Sequence, residues 1–144
     1  MMSEELKIEM LNSIKENETD EYKATVWGVI VPEFKTVWNK YGRAASAFAA
    51  LENKYCYVGV TDNYIAFATV YNFAPSQMMD ALSIDFDAIK KVKVKNQIVR
   101  KMIYIYTNEG RVKLSLNNIT SGSKLSKQAQ VEGVKYIINK LKSL

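Results

Sequence analysis

Two hairpins whose strands alternate in hydrophobicity constrain the fold of this chain most strongly. In the first, residues 55–60 and 64–70 flank Asp62 and Asn63, residue types that are typical of tight turns. In the second, residues 102–106 and 112–116 flank a turn at residues 107–110. Residues 22–31 and 89–95 are also rich in β-branched residues, and we expect a loop around Pro75 and residues 77–79. The pattern predicts antiparallel strands that are joined largely by short turns.

Three segments have helical periodicity instead. Ser3 can cap a first helix that carries an apolar stripe at helical spacing. Residues 34–51 place apolar side chains three or four positions apart, which predicts a helix after the first strand. The last helix has its stripe at residues 131–141 and lysines in its final turns. The stripe of the first helix consists of Leu6, Met10, Leu11 and Ile14.

The resulting order of elements predicts an α+β fold. A bent antiparallel sheet or barrel of about six to seven strands needs a cover for its apolar face, and the C-terminal helix can supply it. We expect an N-terminal helical extension at residues 1–20 and one domain at residues 21–144, with a helical insertion at residues 34–52. A chain of 144 residues is long enough to bury such a core without disulfides or metals.

The composition argues against the commonest catalytic machinery. The chain contains no histidine and one cysteine, Cys56, so Ser-His and Cys-His nucleophiles cannot form. It contains neither of the glycine-rich motifs that bind dinucleotides or phosphates. We therefore expect a non-enzymatic protein without a cofactor or a metal; a small enzyme or ligand-binding protein of other chemistry is the least favoured alternative.

The N-terminal sequence and the charge distribution bear on location and partners. Residues 1–5 are acidic rather than apolar, and no run approaches the roughly 18 apolar residues of a membrane span, so we expect a cytoplasmic protein. The net charge is −5 over residues 1–21 and +11 over residues 89–144. This asymmetry favours an anionic partner for the C-terminal half or self-complementarity with the N-terminal helix.

Three short motifs resemble bacterial PH-like domains, in the wider PH/GRAM group. They are the turn and strand at residues 61–67, the segment from Ile84 to Val92 with Asp85 or Asp87 as its aspartate, and the turn at residues 107–110. The resemblance covers residues 54–144, with residues 22–31 as the first strand. It implies an interaction module for lipids, peptides or copies of itself. The predicted helices at residues 1–20 and 34–52 depart from the minimal fold.

The most basic run offers a candidate surface for an anionic partner. Its cations could meet lipid headgroups or nucleic-acid phosphates; alternatively, outward lysines are solvated and protect an exposed sheet edge. The family's phosphoinositide binders carry a clustered basic loop between their first two strands, which this sequence lacks. The alternating tyrosines at positions 55, 57, 104 and 106 could stack bases if they were exposed beside the lysines, but such tyrosines usually pack across strands, which disfavours nucleic acid. The run consists of Lys90, Lys91, Lys93, Lys95, Arg100 and Lys101.

The acidic N-terminal helix is the second candidate. Its stripe of Leu6, Met10, Leu11 and Ile14 is too narrow for an isolated helix, so it packs on its own domain or on a second copy of the chain. The sequence therefore predicts an interaction module that self-associates or binds a protein partner. Binding to anionic membrane surfaces through the basic run is the alternative.

Overall fold

The computed structural model describes residues 4–14, 21–31, 54–71, 74–97, 100–117 and 127–144. Within these ranges the chain forms two helices and seven strands, with a short 3-10 turn at Phe86–Ala88. The predicted helical insertion at residues 34–52 lies outside the described residues. The elements are α1 (Glu4–Asn12), β1 (Ala24–Val31), β2 (Lys54–Val60), β3 (Tyr64–Tyr71), β4 (Ala74–Asp85), β5 (Lys91–Asn96), β6 (Arg100–Thr107), β7 (Gly110–Asn117) and α2 (Lys127–Lys142).

The seven strands form one open antiparallel sheet in the order β4-β3-β2-β1-β7-β6-β5. The α+β prediction, with an antiparallel sheet, a C-terminal helix and an N-terminal helix, is confirmed. Strand β1 is shared by the two halves of the sheet: it pairs with β2 from Ala24 to Ile30, and with β7 only at Val29, Ile30 and Val31. The N-terminal half of β1 therefore has no neighbouring strand on its β7 side among the described elements.

The loop expected around Pro75 is wrong, because residues 74–85 form the long edge strand β4. Proline lacks the N–H that a central strand needs, but an edge strand tolerates it. The register between β3 and β4 also shifts near Tyr71, where Val70 pairs with Met78 and Tyr71 with Ala74. Pro75 lies within this irregular stretch, outside the regular ladder.

The main hydrophobic core lies between the sheet and α2. Val134, Ile137 and Leu141 of the predicted stripe are buried there against side chains from β1 to β7. Gly133 brings the helix close to β1, since a Cβ at this position would lie 2.5 Å from Cγ1 of the buried Val26. The core thus depends on a small residue where helix and strand cross.

A second cluster lies on the opposite face of the sheet, beneath α1. Met10 and Leu11 are buried against Tyr57 and Tyr64, with Ile14 at the margin. The hydroxyl of Tyr22 donates to the backbone oxygen of Leu11 at 2.7 Å, so α1 is also tied to the segment that precedes β1. Helix α1 covers β1–β3 and leaves the same face of β5–β7 to other groups.

Candidate functional site

The uncovered half of that face carries a ladder of cations and tyrosines across three strands. Lys91 on β5 lies opposite Tyr106 on β6, which lies opposite Arg111 on β7. The next row repeats the pattern with Lys93, Tyr104 and Lys113. We call this surface the basic tyrosine face; it comprises Lys91, Lys93, Lys95, Tyr104, Tyr106, Arg111 and Lys113.

The alternation of β5 explains why its lysines share one side. Val92 and Val94 pack against the core, while the three lysines that alternate with them, Lys91, Lys93 and Lys95, are exposed, as the sequence predicts. In β6 the buried Ile103 and Ile105 alternate with the half-buried tyrosines. Side chains two residues apart lie on one face of a strand, so the register of β5 and β7 with β6 brings all three sets together.

The cations converge on the tyrosine rings. The side-chain nitrogen of Lys95 lies 5.5 Å from the centroid of the Tyr104 ring, and the guanidinium carbon of Arg111 lies 5.0 Å from it. Lys113 lies 6.0 Å from the same centroid, and Lys91 lies 5.8 Å from that of Tyr106. Such contacts favour the cations by about 0.5–1 kcal/mol each at exposed sites. Each tyrosine also separates like charges that would otherwise face one another directly.

The positive charges of this face affect the ionisation of the Tyr106 hydroxyl. Nη1 of Arg111 donates to the Tyr106 hydroxyl at 3.4 Å. This hydrogen bond, with smaller contributions from the charges of Lys93, Arg111 and Lys91, lowers the pKa of Tyr106 below its ordinary value of 10.0. None of Lys91, Lys93, Lys95 and Lys113 forms an ion pair with a carboxylate of the described residues. Lys91, Lys93 and Lys95 are exposed and present their positive charge to solvent, and Lys113 is half-buried.

The structure brings together only part of the basic run that the sequence singled out. Lys91, Lys93 and Lys95 form one side of the face, and Arg100 lies at its end, where its Nε donates to Gln97 Oε1 at 2.8 Å. Lys101 belongs to the alternating set of Ile103 and Ile105, so it lies on the other side of β6. Exposed Lys90 precedes β5.

Sequence reasoning missed Arg111 and Lys113 as members of the site. Their spacing of two residues in a predicted strand was the available signal, but the register that places them beside the tyrosines is a tertiary property. Base stacking would require the alternating tyrosines to lie exposed beside the lysines, and this holds for only some of them. Tyr104 and Tyr106 lie beside the lysines, whereas Tyr57 is fully buried under α1.

The candidate oligomer helix uses its apolar side chains within the protomer. Met10 and Leu11 are 7% and 0% exposed, and Ile14 packs against the same cluster. The side chain of Leu6 lies outside the described set. Lys7 occupies the same stripe and is 2% exposed, with its amine donating to the backbone oxygen of Thr25 at 3.0 Å. The structure thus places the helix against its own sheet.

Cys56 and the acidic side chains of the described residues have the chemistry of a nucleophile and of metal ligands, respectively. Cys56 is completely buried, and this burial raises the pKa of its thiol well above its ordinary range. The described parts of the chain contain no group of three or more Cys, Asp and Glu side chains that could hold a metal ion. Among the described helices, none has the length and the apolar character needed to cross a membrane.

Comparison with known proteins adds a likeness of fold. No protein family matches the sequence, and no curated protein matches it. The chain is similar to a solved structure of the C-terminal domain of an unknown protein from Leishmania infantum, with a TM-score of 0.50 and 10% sequence identity. The alignment covers 90% of this chain and 93% of that one. At this identity the likeness concerns the fold alone.

Proposed function

We propose that this protein is a non-enzymatic interaction module of PH-like fold that binds anionic membrane surfaces through the basic tyrosine face. The observation that carries the proposal is the spread of cations from the edge strand β5 across β6 to Arg111 and Lys113 on β7. Strand geometry confines them to a patch of about 13 by 10 Å. Near an acidic bilayer each lysine or arginine contributes about 1 kcal/mol, so such a patch can hold the domain at the surface.

Protection of the sheet edge is the competing explanation, and it covers only part of the pattern. Strand β5 is an edge strand, and three exposed lysines there would discourage pairing with another chain. Lys113, however, lies on β7 between its pairing partners Tyr104 of β6 and Val31 of β1, and Arg111 pairs with Tyr106 of β6. Cations two strands away from β5 do not protect its edge, which favours a binding role.

The packing of the rings favours a membrane over a nucleic acid. Base recognition on a sheet needs aromatic faces on which bases can stack. On Tyr104 the cations of Lys95 and Arg111 already lie 5.5 and 5.0 Å from the ring centroid. A stacked base would have to displace them, whereas a bilayer can meet the charged ends of the side chains without disturbing the rings. Tyrosine itself suits the membrane interface, where its ring is apolar and its hydroxyl is hydrated.

The PH-like part of the proposal has independent support. The seven-strand antiparallel order, in which two meanders meet at β1, agrees with the expected bent sheet, and α2 covers its core face. The motifs at residues 61–67 and 107–110 occupy the β2–β3 and β6–β7 turns, as the resemblance requires. In both turns a threonine hydroxyl accepts a backbone N–H two residues later, at 3.0 Å for Thr61 and 3.1 Å for Thr107.

The test is co-sedimentation with phosphatidylcholine vesicles that contain or lack phosphatidylserine, at low and physiological salt. We expect pelleting only with phosphatidylserine, and weaker pelleting at higher salt because exposed charges are screened. The triple variant K91E/K93E/K113E should abolish it. The control K127E/K135E/K142E changes the net charge equally at exposed positions of α2 and should keep most of the binding. Equal losses in both variants, or no pelleting of the unmodified chain, would contradict the proposal.

A second experiment distinguishes membrane binding from nucleic-acid binding. Fluorescence anisotropy with a labelled single-stranded RNA measures binding in the same buffers. We expect weak binding that tracks net charge, so both triple variants should reduce it similarly. Tight RNA binding that K91E/K93E/K113E alone removes would assign the face to nucleic acid instead of lipid.

Self-association and a protein partner remain predictions from the charge asymmetry. Because Met10 and Leu11 are buried against their own sheet, α1 can join a second copy only through its outer surface or by leaving the sheet. Light scattering on the vesicle-free sample gives the mass in solution. An oligomer whose mass is unchanged after deletion of residues 1–18 would show that α1 is not its interface.

A further inference from the structure

The hydroxyl of Tyr106 lies among cations from both neighbouring strands. Lys91 lies directly opposite Tyr106 on β5, and Arg111 lies opposite it on β7. Lys93 is the next outward residue of β5, on the diagonal from Tyr106. Besides the hydrogen bond from Arg111, the charges of Lys93, Arg111 and Lys91 lower the pKa of the Tyr106 hydroxyl. All three cations therefore act on the same oxygen, which is a centre of positive potential on this face.

The hydrogen bond from Arg111 leaves the proton of this hydroxyl available. Nη1 of Arg111 donates to the Tyr106 oxygen at 3.4 Å, so the hydroxyl acts as an acceptor towards the protein. A phenol has one proton to donate, and no acceptor for it lies among the described residues. Hydrogen bonds in a chain polarise one another, so the bond from Arg111 also strengthens the hydroxyl as a donor. The Tyr106 proton can therefore be donated to an anion that approaches from solvent.

The ammonium groups beside this hydroxyl are available as well. Lys91 and Lys93 are exposed, and neither forms an ion pair with a carboxylate of the described residues. The ammonium of Lys91 lies 5.8 Å from the centroid of the Tyr106 ring, a contact that involves no hydrogen-bond acceptor. Glu109 follows in the β6–β7 turn, but no carboxylate of the described residues is among the groups that shift the pKa of Tyr106. The charges of these two lysines are therefore not neutralised by the described acids.

We propose that Lys91, Lys93 and Tyr106 form a headgroup site for phosphatidic acid, a lipid phosphomonoester. This inference rests on the proposed membrane binding and adds a preferred lipid to it. A phosphomonoester carries a charge of about −1.5 to −2 near pH 7 and has three terminal oxygens. Two ammonium groups and one hydroxyl supply a donor to each oxygen, whereas a phosphodiester offers two terminal oxygens and a single charge. Hydrogen bonds to an ionised group are about twice as strong as neutral ones, so the additional oxygen and charge favour the monoester.

The test compares phosphatidylcholine vesicles that contain phosphatidic acid with vesicles that contain the phosphodiester phosphatidylglycerol, at fractions that give equal electrophoretic mobility. Co-sedimentation of the full chain measures binding to each, and we expect at least fivefold tighter binding to phosphatidic acid. Equal binding to the two lipids would overturn the headgroup site and leave the proposed membrane binding intact, whereas no binding to either would overturn both. Glycerol 3-phosphate, which lacks acyl chains, should not displace the protein at the same phosphate concentration. Displacement would overturn the assignment of the site to a lipid.

Two tyrosine variants test the donor hydroxyl. Tyr106→Phe removes the hydroxyl and keeps the ring, so it should reduce the preference for phosphatidic acid over phosphatidylglycerol at least threefold. The matched control Tyr136→Phe removes a hydroxyl from an exposed tyrosine of α2 and should keep the full preference. An equal reduction in both variants would overturn the assignment of the headgroup to Tyr106.

Two lysine variants separate the headgroup site from the general charge of the face. Lys93→Gln and Lys113→Gln each remove one positive charge from the two sides of Tyr104. We expect Lys113→Gln to weaken binding to both lipids by the same factor, and Lys93→Gln to weaken binding to phosphatidic acid at least threefold more than binding to phosphatidylglycerol. A preference that survives both Lys93→Gln and Tyr106→Phe would overturn the proposed location.

Discussion

The side-chain amide of Gln130 hydrogen-bonds with both backbone polar groups of Trp27: Oε1 accepts the N–H at 3.1 Å and Nε2 donates to the carbonyl oxygen at 2.9 Å. The same Nε2 also donates to Asn117 O at 2.8 Å. Gln130 is 2% exposed and lies where β1 and β7 stop pairing. One helix side chain therefore replaces the missing rungs of a strand ladder.

Replacing Gln130 with leucine should lower the free energy of unfolding by about 2 kcal/mol, because three backbone groups lose their partner in a largely buried place. Urea denaturation monitored by circular dichroism measures the loss. The control Gln128→Leu alters an exposed residue on the same helix and should change stability by less than about 0.5 kcal/mol. A loss as small as the control's would mean that water replaces the amide.

Gly28 should not tolerate alanine. A Cβ at this position would lie 2.7 Å from the backbone oxygen of Ser115 and 2.7 Å from Cδ2 of Leu116. A backbone oxygen cannot rotate away, so β1 and β7 must separate, at a cost of about 1–3 kcal/mol. Thermal unfolding of Gly28→Ala measures this cost, and an unchanged midpoint would contradict the close approach of the two strands.

The docking of α1 predicts different costs for its two faces. Leu11 is fully buried, so Leu11→Ala should destabilise the protein by about 2–4 kcal/mol through lost contacts and a residual cavity. Ile8 is 47% exposed on the same helix, and Ile8→Ala should cost less than about 1 kcal/mol. Denaturant titration of the two variants makes the comparison. Equal, small effects would indicate that the helix is undocked in solution.

Tyr106 should titrate below the ordinary pKa of a phenol, because the hydrogen bond from Arg111 and the nearby lysines stabilise its phenolate. Absorbance at the phenolate band against pH should show a component that Tyr106→Phe removes and Tyr136→Phe keeps. Above that pKa the phenolate adds one negative charge to the face. Binding to anionic vesicles should therefore weaken as the pH rises through the pKa of Tyr106. Arg111→Gln should shift the component upward. A component that persists in Tyr106→Phe, or that does not move in Arg111→Gln, would contradict the contact between Tyr106 and Arg111.

Cys56 should be chemically inert in the folded protein. Burial raises the pKa of its thiol, and the thiol rather than the reactive thiolate is therefore present at neutral pH. Reaction with a disulfide reagent such as DTNB should be far slower than for a free thiol, and complete in guanidinium chloride. Rapid reaction of the native protein would mean that β2 opens locally on the timescale of the assay.

Much of this fold follows from local patterns. The hairpin turns, the alternation of β5 and the stripe of α2 depend on periodicity and turn chemistry, and each lies where the sequence predicts it. Strand β4 could not be predicted in this way, because Pro75 reads as a loop signal unless the strand is already known to be at an edge. The shared role of β1 depends on pairings between distant segments, which no local pattern encodes.

The site shows the same division. The outward position of the β5 lysines can be predicted from their alternation with Val92 and Val94. The contributions of Arg111 and Lys113 depend on the register of β7 with β6, which is a tertiary property. The burial of Lys7 could be predicted from its spacing, because it lies three and four residues before Met10 and Leu11, on the buried stripe of α1. A lysine at such a position must send its amine to an acceptor, here Thr25 O.

The pairing of β1 with β7 also has a consequence for how the chain folds. Val31 and its partner Lys113 are 82 positions apart, whereas most other strands pair with their neighbour in sequence. The entropy of closing so long a loop is recovered by only three paired positions, so we expect the β1–β4 and β5–β7 meanders to form first and to join last. The joining of these two meanders would then set the folding rate, and a chain still emerging from the ribosome would carry the first meander without its helical cover α2.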